Sequence, residues 1–240
     1  MKIALSGYGR MGHEVEKAAI ERGHQIVLAL DNASDWSTHK INAREIDVVI
    51  DFSTPASAAW IVNHCLESGI PVVSGTTGWP AELEKIKERC LQLNGTFFYA
   101  PNFSIGVNIF FEINRKLASL LNNHRQYQAS LHEIHHIHKL DAPSGTAIAL
   151  ANDIIAENHA YQSWQASSDK QACKLPVTSE RSGEVPGTHI VQWESSADSI
   201  EIKHTAHNRQ GFATGAVLAA EWLSGKTGVF DMQDLLNSTT

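Results

Sequence analysis

Short apolar runs alternate with helical patterns along about the first hundred residues of the chain. Runs such as Lys2–Ser6 are short and mostly apolar, which is typical of buried strands. The segments between them repeat apolar residues at helical spacing. The pattern predicts strands Lys2–Ser6, Ile26–Leu30, Asp47–Asp51, Pro71–Ser74 and Thr96–Ala100, and helices Met11–Arg22, Pro55–Glu67 and Pro80–Leu93. Such alternation is typical of an α/β fold, in which helices cover both faces of a parallel sheet.

The pattern changes after about residue 104. Strands and helices no longer alternate regularly, and residues from about His159 to Glu180 show no clear periodicity, which predicts a long surface loop. The remaining predicted elements are helices Ile105–Leu121, Gly145–Glu157 and Gly211–Ser224, and strands Gln126–His136, His189–Trp193 and Ser199–His204. This mixture indicates a second, α+β domain.

Composition narrows the class of protein. The 240 residues include 19 Lys and Arg against 26 Asp and Glu, a net charge of −7, which argues against a general nucleic-acid binder. The three cysteines form no CxxC pair, which favours a reducing, cytoplasmic setting. No apolar run approaches the roughly 18 residues of a membrane span. The N-terminal residues enter the first predicted strand directly, so we expect no signal peptide.

The segment Gly7–Gly12 has the spacing Gly-x-Gly-x-x-Gly between the first predicted strand and the first predicted helix. In that context Gly7 allows a tight turn, Gly9 lets the backbone approach a pyrophosphate, and Gly12 lets helix and strand pack closely. Asp31 ends the second predicted strand, where a carboxylate can accept hydrogen bonds from an adenosine ribose. The sequence therefore predicts a dinucleotide site rather than a bare glycine turn.

Asp31 also bears on the choice of cofactor. A carboxylate at this place repels a 2′-phosphate, and the next residue, Asn32, supplies no positive charge. The side chain of Arg10, in the glycine turn, can reach over and weaken this preference. We therefore expect NADH or NADPH to bind, with a lean toward NADH.

Two further turns follow predicted strands. Phe52 and Ser53 come after the third strand, and Gly75–Gly78 comes after the fourth. Ligands of open α/β sheets bind outside the carboxyl ends of the strands, so these turns are candidates for contacts with the nicotinamide half of the cofactor. The alternative is that they are only turns.

Four of the 13 histidines, His132, His135, His136 and His138, lie within seven residues. A zinc site is one interpretation, but adjacent histidines of a strand point to opposite faces and no cysteine cluster or HExxH motif accompanies them. A purely structural role is the second. Acid–base chemistry is the third, because histidine exchanges protons near neutral pH. We favour the third and expect no metal.

The residues after the histidines strengthen the third interpretation. Ser144, Gly145 and Thr146 begin a predicted helix, whose first N–H groups form a ready anion site. Lys139 adds a cation suited to a substrate carboxylate. Proton donors beside an anion site imply hydride transfer to a small carboxylated substrate, with protonation by His135 or Lys139.

These segments resemble the 4-hydroxy-tetrahydrodipicolinate reductase (dihydrodipicolinate reductase) family of bacterial lysine biosynthesis. The resemblance extends over nearly the whole chain. Its markers are residues 7–12, 51–55, 74–78, 100–108, 133–147, 181–189 and 207–217. The histidines followed by Lys139 and the run DAPSGTA (141–147) are specific to that family, whereas the glycine pattern occurs in many dehydrogenases.

The resemblance implies a Rossmann-like dinucleotide-binding domain of residues 1–103 with 211–240, and a substrate-binding and tetramerisation domain of residues 104–210. It implies a homotetramer that uses NADH or NADPH to reduce 4-hydroxy-tetrahydrodipicolinate, a cyclic imine dicarboxylate, to tetrahydrodipicolinate with loss of water. Segment Asn32–Ile46 has only 15 residues, fewer than is usual in the family, so we expect a trimmed edge on the adenosine side.

The resemblance also assigns roles to individual residues. His135 would donate or accept a proton, and Lys139 would donate one. His136, Lys139, Gly145 and Thr146, with Ser144, would hold the substrate carboxylates. The cofactor would be lined by Gly7, Tyr8, Gly9, Arg10, Met11, Gly12, Asp31, Phe52, Ser53, Gly75, Thr76, Thr77, Ala100, Pro101, Asn102 and Phe103. Two other functions stay open: a related nicotinamide-dependent imine or amino-acid dehydrogenase, and a dinucleotide sensor without turnover.

Overall fold

The computed structural model describes residues 1–31, 33–39, 41–169 and 171–238. Asn32, which entered the argument on cofactor choice, lies outside the described residues. The chain divides into two compact units, one of Met1–Ile105 with Arg209–Thr240 and one of Gly106–Asn208. The domain boundaries expected from the sequence, after residue 103 and before residue 211, fall close to these.

The first unit contains strands β1 (Lys2–Ser6), β2 (Gln25–Leu30), β3 (Val48–Asp51), β4 (Val72–Ser74) and β5 (Thr96–Tyr99), and helices α1 (Arg10–Glu21), α2 (Ala33–Thr38), α3 (Pro55–Glu67) and α4 (Pro80–Gln92). The second unit contains helices α5 (Ile105–Leu121) and α6 (Gly145–Glu157), and strands β6 (Gln128–His135), β7 (Ser163–Gln165), β8 (Lys174–Arg181), β9 (Gly187–Glu194) and β10 (Ser199–Ala206). Helix α7 (Gln210–Trp222), strand β11 (Gly228–Phe230) and helix α8 (Met232–Asn237) complete the first unit.

The sheet of the first unit has six parallel strands in the order β11-β5-β4-β3-β1-β2. Alternate residues of its central strands face opposite layers. Val48 and Ile50 pack in a core with residues of α1 and α7, whereas Val49 packs with residues of α3. The sheet is therefore covered on both faces, which is why its strands are apolar at successive positions.

The sheet of the second unit has five strands in the order β10-β9-β6-β8-β7. Strand β6 runs antiparallel to β9 and parallel to β8. A single apolar core, which includes Leu131 of β6, Ala118 of α5 and Leu150 of α6, lies against this sheet. Strand β6 is thus the central strand, and the residues at its end are flanked by β8 and β9.

The predicted fold class is confirmed, and the elements of the sequence analysis are found with bounds shifted by no more than two residues. The prediction of a loop from His159 to Glu180 is wrong, because β7 and β8 lie there. Only the first half of β8 is buried, so its charged second half concealed the strand pattern. The sequence analysis also missed α2, β11 and α8. No helix among the described residues is long and apolar enough to cross a membrane.

Candidate active site

The glycine turn between β1 and α1 needs two of its glycines for packing. Gly7 has a φ of +80°, and a Cβ there would lie 2.3 Å from the carbonyl oxygen of Phe52. A Cβ on Gly12 would lie 2.4 Å from the carbonyl oxygen of Gly7. Any side chain at either position would collide with backbone, which keeps the turn tight.

Gly9 differs from the other two glycines. A Cβ built on Gly9 would have no atom of the described structure within 4 Å. Gly9 is the N-cap of α1, and no side chain there caps the helix. The first turn of α1 therefore points uncapped N–H groups and the positive end of its dipole at open space, which fits a pyrophosphate.

A pocket of about 570 Å³ lies beside this turn. It is lined by Ser6, Gly7, Gly9, Asp31, Trp36, Ser37, Phe52, Ser53, Thr54, Ser57, Trp60, Ile61 and His64. The main-chain N–H of Tyr8 donates to Oδ1 of Asp31 at 2.8 Å, and the N–H of Asp31 donates to Asp35 at 2.8 Å. Asp31 is therefore held at the edge of the pocket, with a second carboxylate close by. The volume of the pocket and its mixture of apolar and polar lining residues fit part of a dinucleotide.

Three aromatic side chains of the pocket contact one another. The rings of Trp60 and His64 are stacked, with centroids 5.1 Å apart and planes 10° apart. Trp36 meets both edge-on, at 5.7 and 5.9 Å. Sequence reasoning missed all three, although Trp60 and His64 lie one turn apart in α3 and so share a face. Trp36 belongs to α2, in the segment that we expected to be trimmed.

The loops that follow β3 and β4 are joined by the buried carboxylate of Asp51. Its oxygens accept hydrogen bonds from Ser74 Oγ at 2.8 Å, Thr76 Oγ1 at 2.9 Å and the N–H of Ser53 at 3.3 Å. These bonds hold the two loops together at the carboxyl ends of the strands, where ligands of such sheets bind.

Five of the residues predicted to bind cofactor line the pocket, namely Gly7, Gly9, Asp31, Phe52 and Ser53. The others do not line it. Tyr8, Arg10, Met11 and Gly12 lie at the start of α1, Gly75, Thr76 and Thr77 follow β4, and Ala100, Pro101, Asn102 and Phe103 follow β5. The ring of Phe52 links these segments, because it packs edge-on to Phe103 at 5.8 Å and would clash with any Cβ at Gly75.

A second group of polar side chains surrounds the end of β6 in the second unit. Strand register places Glu133 opposite Ser179 of β8 and His189 of β9, and places His135 opposite Arg181. Glu133 is wholly buried, and His135 and His189 are only 5–7% exposed. The sheet thus gathers a carboxylate, two imidazoles and a guanidinium, which are distant in sequence.

Glu133 is the centre of this group. Its carboxylate accepts the N–H of Ser144 at 3.0 and 3.2 Å, Ser179 Oγ at 2.8 Å and the Arg181 guanidinium at 3.3 Å. Nε2 of His189 lies 3.6 Å from it. Burial raises the pKa of Glu133, but hydrogen bonds from His189, Ser144 and Ser179 outweigh burial, so the pKa lies far below its ordinary value. Glu133 is therefore a buried anion at neutral pH.

His135 is held neutral by its surroundings. Burial lowers the pKa of His135 to about 4, although the negative charge of Glu133 opposes this; His189, Lys139 and Arg181 add to the lowering. Nδ1 of His135 is 3.4 Å from a carboxylate oxygen of Glu133. Any Cβ at Gly187 would lie 3.1 Å from Nε2, so the absence of a side chain at that position makes room for the ring.

Lys139 lies in the segment that joins β6 to α6. Its Nζ is 2.8 Å from Oδ1 of Asp141, and this ammonium lowers the pKa of Asp141. The guanidinium of Arg181 donates to the carbonyl oxygens of Lys139 and Asp141 as well as to Glu133. Arg181 therefore ties this segment to the centre of the group. Sequence reasoning assigned it no role.

The start of α6 and the side chain of His136 complete the arrangement. Ser144 caps α6 by accepting the N–H of Ala147 at 3.2 Å, and Ser144 Oγ is 3.1 Å from Nε2 of His189. The N–H groups of Gly145 and Thr146 lie at the positive end of the helix. Nδ1 of His136 is buried without a hydrogen-bond partner among the described residues. The start of α6 and the guanidinium of Arg181 thus both contact the carboxylate that lies 3.4 Å from His135.

Glu133, His135 and His189 have the spacing of a metal site, since one possible ligand atom of each lies within 4.8 Å of the others. The zinc interpretation of the sequence considered His135 together with His132, His136 and His138, and included neither Glu133 nor His189. The same carboxylate already accepts three donors, and the guanidinium of Arg181 is one of them. That positive charge opposes a second cation at this place.

Comparison with known proteins shows the family of the chain. Residues 1–103 match the family model described as dihydrodipicolinate reductase, N-terminus, and residues 106–236 match the model of its C-terminus. The chain belongs to the dihydrodipicolinate reductase family. It is accordingly an oxidoreductase of a family that acts in the diaminopimelate route of lysine biosynthesis and depends on pyridine nucleotides.

Two curated relatives of the family match over nearly their whole length. The chain is 49% identical to 4-hydroxy-tetrahydrodipicolinate reductase of Christiangramia forsetii over 237 residues, 99% of this chain and 98% of the relative. It is 35% identical to the enzyme of the same name from Archaeoglobus fulgidus, covering 98% and 100%. The structure of dipicolinate-bound dihydrodipicolinate reductase from Paenisporosarcina sp. TG-14 shares the fold with a TM-score of 0.75 at 22% identity, over 96% of this chain and 97% of that one.

Three residues of the second site were not predicted, namely Glu133, Arg181 and His189. Two family-like segments, 133–147 and 181–189, begin or end on these residues, so the signal was present in the sequence. Local patterns could not show that both segments meet at one carboxylate, because that depends on strand pairing between β6, β8 and β9.

Proposed function

We propose that this chain reduces 4-hydroxy-tetrahydrodipicolinate to tetrahydrodipicolinate, with NADH as the favoured cofactor. The first unit would bind the dinucleotide, and the second would bind the substrate and move protons. The observation that supports this best is the group around His135, in which a buried anion, a neutral imidazole, a lysine and a helix N-terminus converge.

The second unit would recognise the two carboxylates of the cyclic imine substrate. His136, the ammonium of Lys139 and the N–H groups of Gly145 and Thr146 are all donors suited to carboxylate oxygens. Ser144 would support them as the cap of α6. The pairing of Lys139 with Asp141 suggests that Lys139 exchanges one carboxylate partner for another when substrate binds.

His135 and Lys139 would carry the protons of the reaction. Loss of the 4-hydroxyl as water needs a proton donor, which the ammonium of Lys139 provides. Loss of the hydroxyl also removes a proton from the neighbouring ring carbon, and neutral His135 would accept this proton and return it to the same carbon after hydride transfer. A dianionic substrate would assist, because nearby negative charge raises the pKa of an imidazole. Bound nicotinamide supplies the hydride.

The first unit would hold the adenosine half of the cofactor in the pocket beside Gly9. Asp31 would accept hydrogen bonds from the ribose, and with Asp35 it would repel a 2′-phosphate. The aromatic side chains of Trp36, Trp60 and His64 offer ring faces and edges against which an adenine can pack. The turns at Gly75–Thr77 and Ala100–Phe103 would receive the nicotinamide half.

We further propose a homotetramer assembled through the second unit and located in the cytoplasm. Strand β10 is an edge strand whose side chains are alternately exposed and half-buried, and its free edge is open to pairing. All three cysteines are free thiols, as in a reducing compartment. Sedimentation equilibrium should give a mass near four times 26.3 kDa; a monomeric mass would contradict the assembly.

The decisive experiment mixes the protein with freshly made aldolase product of pyruvate and aspartate semialdehyde and follows NADH absorbance. We expect turnover with both cofactors and a higher kcat/KM with NADH. Cofactor binding without oxidation would favour the dinucleotide sensor, and a far higher kcat/KM with NADPH would contradict the role given to Asp31. Elemental analysis should find no stoichiometric zinc. Stoichiometric zinc would instead support a metal site formed by Glu133, His135 and His189.

A further inference from the structure

The two oxygens of Glu133 have different neighbours. Oε1 accepts from three donors: the N–H of Ser144 at 3.0 Å, Oγ of Ser179 at 2.8 Å and the guanidinium of Arg181 at 3.3 Å. Oε2 also faces the N–H of Ser144, at 3.2 Å, and is the oxygen nearest to the two imidazoles. Oε1 therefore binds the surrounding structure, whereas Oε2 faces the two histidines.

The position of Oε2 bears on which ring nitrogen of neutral His135 carries the proton. Nδ1 of His135 lies 3.4 Å from Oε2 and has no hydrogen-bond partner by strict geometry among the described residues. A carboxylate accepts hydrogen bonds and cannot donate them when it is ionised. A lone pair on Nδ1 would be repelled by Oε2, whereas an N–H there would be attracted.

We propose that Glu133 is a positioning residue that keeps the proton of neutral His135 on Nδ1, so that Nε2 is the nitrogen that exchanges protons with the substrate. This inference rests on the proposed role of His135 and names the residue that prepares it. The same carboxylate would stabilise the imidazolium that forms when Nε2 takes up a proton. A buried carboxylate orients the histidine of a serine-protease triad in this way, where loss of the correct tautomer costs about 10⁴-fold in kcat.

The two cationic side chains near His135, those of Lys139 and Arg181, do not fix its tautomer in this way. His189 of β9, Lys139 of the following segment and Arg181 of β8 face His135, and each lowers its pKa. The rings of His135 and His189 meet edge-on at 5.0 Å. Of these neighbours, Lys139 and Arg181 are donors only, and they disfavour a second positive charge without selecting a nitrogen.

The substitution Glu133→Gln tests the proposal because its side-chain amide has one possible orientation. Three donors converge on Oε1, so the amide oxygen must occupy that side. The NH2 group is then turned toward the histidines. It donates to Nδ1 of His135 and moves the proton to Nε2, which reverses the tautomer with little change of shape.

The tautomer is read directly by two-dimensional 1H–15N correlation of the histidine rings at pH 7. The signals of His135 are those that disappear in His135→Gln. We expect the Nδ1–H form in the unaltered protein, the Nε2–H form in Glu133→Gln, and a fall of kcat by about 10²–10⁴-fold with NADH affinity unchanged. Glu180→Gln is the matched control, because Glu180 is an exposed carboxylate 3.5 Å from His132 on the same pair of strands.

Several results would overturn the inference. The Nε2–H form in the unaltered protein would do so even if Glu133→Gln failed to fold, and so would a tautomer that does not change in a folded Glu133→Gln. A reversed tautomer with normal kcat would remove the positioning role. The proposed function is tested separately: its mechanism is contradicted if the variant His135→Gln has a normal kcat.

Discussion

Glu133 and Ser144 are joined by two short contacts, 3.0 and 3.2 Å, between the carboxylate of one and the main-chain N–H of the other. Eleven residues separate them, and they belong to the end of β6 and the start of α6. The bond therefore fixes the helix N-terminus relative to the strand that carries His135. In the proposed mechanism this places the group that binds a carboxylate at a set distance from the group that moves a proton.

The first prediction concerns the two proposed proton-transfer residues. His135→Gln and Lys139→Met should each lower kcat by about 10²–10⁴-fold, because each removes a proton-transfer group. Affinity for NADH, measured by calorimetric titration, should not change, since both residues belong to the second unit. His132→Gln is the control, because His132 lies on the other face of β6 and bonds Thr178. Normal turnover in either test variant would contradict its role.

The second prediction separates two glycines of one turn. Gly12→Ala should lower the free energy of unfolding by about 1–3 kcal/mol, because its Cβ meets the carbonyl oxygen of Gly7. Gly9→Ala should unfold like the unaltered protein, since Gly9 has a φ of −82° and open space around it. Its affinity for NADH should nevertheless fall at least about 10-fold, because the methyl group would occupy the space of the pyrophosphate. Unchanged affinity would place the pyrophosphate elsewhere.

The third prediction tests the aromatic pocket. Trp60→Ala should weaken NADH binding by about 10-fold, the scale of one lost base stacking interaction. Trp60 is 54% exposed, so the fold should tolerate the change. Affinity for reduced nicotinamide mononucleotide, which lacks adenosine, is the internal control and should stay the same. Equal loss for both ligands would show that Trp60 acts on the whole site and not on adenine.

The fourth prediction follows from the pKa of His135. Its ordinary value of 6.5 falls to about 4 in the folded protein. Between these values the unfolded chain binds a proton that the folded chain does not, so stability decreases as the pH falls from 6.5 to 4. The loss from this one group is about 3 kcal/mol. Below pH 4.5 the protonation of Glu133, whose pKa is also lowered, removes further stability.

Denaturant unfolding between pH 4 and 7 measures this dependence. In His135→Gln the slope should become smaller. It should not vanish, because burial also lowers the pKa of His204. An unchanged slope would show that His135 does not stay neutral in the folded protein.

Local pattern was sufficient for much of the first unit. Strand β3 is buried along its whole length and begins with three successive apolar residues, because both faces of the sheet are covered. Pro55 and Pro80 begin their helices at first-turn positions, where the missing N–H costs nothing. The glycine turn was also predictable, because the Gly-x-Gly-x-x-Gly spacing between a strand and a helix is a local signal. The close contact of Gly12 is local as well, with the carbonyl oxygen of Gly7, whereas that of Gly7 is with Phe52 in a distant segment. Strand β8 was missed because its pattern is apolar over only half its length.

Proton-transfer roles for His135 and Lys139 could be proposed from adjacent residues, but the group of side chains around Glu133 could not. Glu133, Ser179 and His189 are neighbours only because β6 lies between β8 and β9, and strand order is a property of the tertiary structure. The same holds for Trp36, which joins Trp60 and His64 through the packing of α2 near α3. Sequence order determines which chemistry is present near Lys139, because Asp141 and the start of α6 follow within a few residues. Burial and strand pairing decide which histidine is neutral and which carboxylate faces it, because both depend on contacts between segments far apart in the chain.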